Sequence, residues 1–346
     1  MLKRIFFVLL VLFFCFLYPV PDTLHPVSAH EAYVLTKAQF NQGLQTYGAD
    51  LFSPLKDLNN LLIFFSISFG VIGLITLNFL FNESKLGKRV DRLFLRLSKF
   101  GPIIARVTIA LALFFSALTF SFLGPELSLK SLPMPEILRI TILTASLFLV
   151  VGFLTEIVAI VCLLIFMLGF AAFGLYQLSY LNYLGELIVL ILFGSRVLSL
   201  DQKIFGHLKR LRKLEGYEST ILRVFYGLAL VYAAVTIKFL HPQIPLEVVS
   251  QYNLTQFNLL FPQDPQLLVL GAALAEITIG LFIVLGFQLR LTVLVSLFYI
   301  TLSLLFFKEA VWPHLLLYGI SFNLMTTKSR FSLDSLLDQK KYSKKN

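Results

Sequence analysis

Glu276 stands in the apolar run Leu267–Phe287, about ten residues from either end. At 1.5 Å of rise per residue its carboxyl would lie roughly 15 Å inside a helix built from that run. A charge buried at that depth costs several kcal/mol, so the residue needs a partner or a proton and is a functional candidate by default. Lys238 closes the run Ile221–Leu240 and has a stem long enough to reach inward. Tyr232, in the same run, and Tyr299, in Leu291–Phe307, sit at comparable depth. A Glu276–Lys238 pair, or a protonated Glu276 bonded to a tyrosine hydroxyl, would satisfy the burial. His314, next to Trp312, enters from the edge of the last run, Pro313–Met325, on the same side as His241. Glu276, Lys238, His314, His241, Tyr232 and Tyr299 are therefore the ligand-binding candidates. Two readings stay open. The groups line a pocket that holds a polar head and relays protons. Or they form one hydrogen-bonded cluster that ties helices together. Glu186, near the start of the run Leu181–Val197, is expected to face water.

Other chemistry is excluded. The chain has no GxxxxGK[ST], no GxGxxG after a strand, no HExxH and no GxSxG, so no catalytic residue is assigned. Its two cysteines, Cys15 and Cys162, form no CxxC, which leaves a redox dithiol, an iron–sulfur cluster and a cysteine zinc site unsupported. His30 with a free terminal amine could chelate copper only beside a second histidine, which the segment after it lacks, so no metal ligand is assigned.

The elements that must position these groups follow from composition. The 346 residues are 58% hydrophobic and 14% charged, with a mean hydropathy of +0.84. So few charges cannot cover a soluble surface, and disorder requires low hydrophobicity. The chain reads as an all-α polytopic membrane protein in a lipid bilayer. The net charge of +10 then reports basic loops at one membrane face rather than nucleic-acid binding. Residues 1–29 have the layout of a secretory signal peptide. Residues 30–59 form an exported segment, 60–82 a first span, and 83–102 a basic loop whose Leu86, Val90, Leu93 and Leu97 share one helical face. Four spans fill 103–202, a second basic loop 203–219, four more spans 220–336, and a basic tail 337–346. Placing all basic segments in the cytoplasm gives nine spans in one register, with the mature N-terminus outside a cell membrane and the C-terminus inside.

The two four-span units repeat. Arg106 precedes Pro125 by 19 residues, as Arg223 precedes Pro242. Gly152 precedes Asp201 by 49 residues, and Gly286 precedes Asp334 by 48. Both units start and finish on the same side, so they are parallel repeats about an axis along the membrane normal. Gly-Phe marks a tight turn in each, with Arg290 beside it in the second, and Ser-Leu-Asp reads as a cap on a short surface segment.

The second unit resembles the DoxX-like family of small four-helix membrane proteins. Its opening, Leu222-Arg223-Val224-Phe225-Tyr226-Gly227, and the stretch Lys238-Phe239-Leu240-His241-Pro242 are similar to that family's first helix. Glu276-Ile277-Thr278-Ile279-Gly280, Leu285-Gly286-Phe287 and Arg290 are similar to its Glu-x-x-x-Gly and Gly-x-x-x-Arg pattern, and Ser332-Leu333-Asp334 to its closing motif. Arg223, Gly286, Arg290 and Asp334 are the structural-motif residues so identified. The likeness covers 220–336 well and 104–202 more weakly: Ser121 stands where Lys238 would be, Ile142 where Glu276 would be, and no histidine matches His314. The resemblance implies two tandem four-helix bundles after one extra span. It also implies a membrane subunit that binds a quinone-like or lipophilic ligand and supports a redox enzyme complex, with quinone as the candidate cofactor. Family members active in disulfide chemistry use cysteines that this chain lacks. A transporter or export/cargo receptor, or a non-catalytic membrane scaffold, is the alternative.

Overall fold

Lipid offers no partner for a backbone N–H, so long apolar runs must close their hydrogen bonds internally, as helices do. The computed structural model describes residues 35, 37–45, 50–194, 197–205, 216–256 and 262–337, and these are all-helical apart from turns and one isolated bridge between Ser121 and Ser128. The signal peptide expected over 1–29 and the basic tail beyond 337 lie outside the described residues. The chain is an all-α, multi-pass membrane protein. Among the described residues six helical stretches are long and apolar enough to cross a bilayer: 58–83, 85–118, 155–193, 218–239, 265–285 and 289–307.

The helices are α1 (Lys37–Gln45), α2 (Leu58–Glu83), α3 (Lys85–Leu97), α4 (Gly101–Leu118), α5 (Pro135–Val151), α6 (Thr155–Phe173) and α7 (Leu181–Phe193). Then follow α8 (Leu200–Phe205), α9 (Glu218–Ala233), a π-helical turn (Ala234–Phe239), α10 (Gln243–Gln251), α11 (Pro265–Leu285), α12 (Leu289–Phe307) and α13 (Val311–Thr326). Two of these helices are shorter than the apolar runs suggest. α4 stops at Leu118 because the Ser116 hydroxyl turns the chain back onto the carbonyls of Ser121 and Phe122. α7 stops at Phe193 because Gly194 takes a left-handed φ of +60°.

Helices α4, α5, α6 and α7 pack in sequence as one set, and α9, α11, α12 and α13 as another. The sets join through two crossings, α13 against α4 and α7 against α9, so the first helix of each meets the last helix of the other. Small residues permit both crossings. A Cβ at Gly319 of α13 would overlap Thr108 of α4, and one at Gly185 of α7 would press on Phe225 of α9. Helix α2 has no buried residue and leans on the second set at both ends. Asn60 donates to Asp264 at 3.3 Å, and Asn78 bonds Gln288.

Matching positions make matching contacts at the end of the bundle that carries the basic loops, here the basic end. Gly152 (φ +67°) and Gly286 (φ +64°) close α5 and α11 in a left-handed turn that a Cβ would strain. Against them lie Arg106, which donates to the Leu198 carbonyl at 3.0 Å, and Arg223, which donates to Phe331 at 2.9 Å. Asp201 accepts from the Leu154 and Thr155 amides (2.7 and 3.0 Å), and Asp334 from Gln288 and Leu289 (2.8 and 3.0 Å). Each aspartate thus caps the third helix of its set, α6 or α12, rather than the short segment it stands in. The serine before it caps that segment: Ser199 accepts from Gln202 and Ser332 from Ser335.

Candidate functional site

The site is built where α9 loosens. Its last turn is π-helical, and Leu240 donates to Val235, five residues back, at 3.1 Å. One extra residue per turn rotates the following side chains by about 100°. Ala234 and Ile237 are thereby buried and Lys238 is brought over α11. Its Nζ lies 3.0 and 2.9 Å from the two oxygens of Glu276, a charge-assisted contact with both halves of the carboxylate. The lysine and glutamate side chains keep 12% and 16% of their surface exposed. Close approach of the two helices starts one turn below, where a Cβ on Gly227 would collide with the Gly280 carbonyl.

The two matching positions of the first set carry no charge, although Arg139, one turn away on α5, donates to the Ala117 carbonyl at 3.1 Å. Ile142 and Ser121 are buried there, and Ile142 lines a small apolar cavity with Cys162, Phe166 and Tyr183. The second set differs again at Tyr226, whose hydroxyl pairs with Ser296 at 2.7 Å; the matching residues of the first set are Ile109 and Cys162.

His314 belongs to a second cluster, at the end opposite the basic loops. Its Nδ1 lies 2.9 Å from the Ala310 carbonyl and its Nε2 3.1 Å from Glu309, with both side chains 2% exposed. Ser303 of α12 donates to the other Glu309 oxygen at 2.7 Å. The Ala310 carbonyl can only accept, so Nδ1 is the donor there and Nε2 faces the Glu309 carboxyl.

The remaining candidates are placed less centrally. Tyr232 is half-buried on α9, and its bond with Thr236 uses its backbone carbonyl. Tyr299 is 36% exposed on α12. His241 follows the π turn in the loop before α10, where partial burial pushes its imidazole below the ordinary value. Arg290 is held at the basic end: it donates to the Met325 carbonyl at 2.8 Å and pairs with Asp91 of α3. Glu186 does not face water. It is 1% exposed on α7, whose crossing with α9 closes over what the sequence shows as the rim of a span.

Glu309 is a buried polar residue that its sequence context conceals. Lys308-Glu309 looks like a solvated turn, and only the left-handed Lys308 (φ +55°) folds the glutamate back onto His314 and Ser303. Glu126 is concealed in the same way, by looking like part of a solvated loop. It stands in a loop yet accepts from the hydroxyls of Tyr176 and Tyr180.

Comparison with known proteins gives one family. Residues 219–309 match the family model described as DoxX, a range running from α9 through α12 that includes Lys238, Glu276 and Glu309. No curated protein and no solved structure matches the chain.

Proposed function

We propose that the second four-helix set, within which residues 219–309 match the DoxX family model, binds the polar head of a quinone-like lipophilic ligand and supports a redox enzyme complex in the membrane. The observation that carries this reading is the Lys238–Glu276 pair. A glutamate and a lysine are held in an apolar bundle, the lysine presented by a π turn, with isoleucine and serine at the respective matching positions of the other set. The residues fit such a ligand. An ammonium supplies the donors that a ligand carbonyl accepts, and both side chains retain some exposure through which a head group could approach. A quinone, when bound, would supply two-electron redox chemistry. Lys238 would orient its carbonyl and Glu276 would hold one of the two protons that accompany two-electron reduction, the electrons coming from the redox partner and the second proton from water. The redox partner rests on the family likeness. We also read the first set as a degenerate copy of the second, the chain as nine crossings, and the basic loops and C-terminus as cytoplasmic at a cell membrane.

The even contact with both carboxylate oxygens favours a second reading, a brace between α9 and α11. One experiment separates the two. Purified protein is extracted and its lipids read by mass spectrometry, for the native chain and for Glu276→Gln. Ligand binding predicts a quinone with the native protein that falls at least about tenfold in the variant, in proportion to the loss of a charged hydrogen bond. A brace predicts no quinone in either sample, with the effect of the variant confined to stability.

A further inference from the structure

We propose that α3 is a binding platform for anionic phospholipid in the leaflet at the basic end, independently of any ligand at Glu276. The helix presents three faces. One packs on the bundle: Gly87 is buried against the end of α2, Asp91 pairs with Arg290, and Phe94 lies 5.4 Å from the Arg290 guanidinium. The second is apolar and open, with Leu86 60% and Leu93 56% exposed and Val90 and Leu97 half-covered. The third carries Lys85, Lys88, Arg89, Arg92 and Arg96, continued by Lys99 in the turn that follows, all exposed.

None of these six cations forms an ion pair among the described residues. Arg92 bonds the Lys88 carbonyl at 3.3 Å, and Lys99 lies over the Phe100 ring at 5.0 Å. A row of unneutralised charge beside an open apolar stripe is the pattern of a helix lying in the interface, its leucines in the acyl boundary and its bases among head groups. The Asp91–Arg290 clasp, with Arg290 also tied to the Met325 carbonyl, fixes the roll of the helix. The basic face therefore points away from the bundle, toward lipid phosphates, whose negative charge complements it. Setting topology would need the charges alone; it would need neither the exposed leucine stripe nor the fixed roll.

The test uses the full chain in vesicles of equimolar phosphatidylglycerol and phosphatidylcholine, with spin-labelled versions of each lipid reporting relative association. The native protein is expected to prefer phosphatidylglycerol, with the preference falling as salt rises toward 1 M. The combined variant K88Q, R89Q, R92Q and R96Q is expected to lose about fivefold or more of it. Lys203→Gln, a basic-end control outside α3, should leave it unchanged. Inorganic phosphate at millimolar concentration should not compete, because the site is filled from the bilayer. If the fourfold variant does not fold, Arg89→Gln and Arg96→Gln measured singly should each lose part of the preference. An unchanged preference in the α3 variants, an equal loss in Lys203→Gln, or displacement by free phosphate would overturn the proposal.

Discussion

At the level of single residues, the bilayer makes charge conspicuous. Glu276 and Lys238 were visible in the sequence because each interrupts an apolar run that offers no water, and the structure sets them 3.0 and 2.9 Å apart. Their contact also predicts a coupling. Glu276→Gln leaves a lysine in an apolar bundle, and Lys238→Met leaves a carboxylate there. Each change should destabilise by about 2–3 kcal/mol, whereas the double variant, which removes both charges, should lose much less than the sum. Thermal unfolding in detergent, followed by circular dichroism, completes this cycle, and purely additive losses would mean that the pair is not coupled. Glu309 was hidden for the opposite reason. A glutamate after a lysine at a loop looks solvated, and its burial depends on how α13 packs and on the left-handed Lys308, neither of which has a local sequence signal.

At the level of elements, helix existence was legible and helix detail was not. Apolar runs place α2, α11 and α12 to within a few residues, since in lipid length and hydropathy decide the matter. The π turn over 234–239 leaves no mark on apolar periodicity, yet it determines where Lys238 points. The seam between the sets was equally unreadable, because Gly185 and Gly319 announce a close approach without naming the partner. The Ser-Leu-Asp motifs were recognised as caps, but the target of the aspartate lies nearly 50 residues back in each set and required the fold. Two amide bonds at each aspartate predict equal roles. Asp334→Ala and Asp201→Ala should each lower stability by about 1–2 kcal/mol. A loss confined to Asp334 would show that the matched geometry of the first set does not carry matched energy.

For the whole molecule, composition alone fixed the membrane class. With 58% of residues hydrophobic, burial and lipid contact leave little surface for water. What composition cannot supply is asymmetry. Two sets share left-handed turns, arginine contacts and aspartate caps, yet where one places Glu276 the other places Ile142, beside a small apolar cavity. Ligand binding is therefore proposed for the second set alone. Photolabelling of the reconstituted protein with an azido-quinone, followed by peptide mapping, addresses that assignment directly. Labels on peptides spanning 231–240 and 270–280, lost in Glu276→Gln, are the predicted result; labels on the peptides around Ile142 and Cys162, or no labelling that saturates, would contradict it.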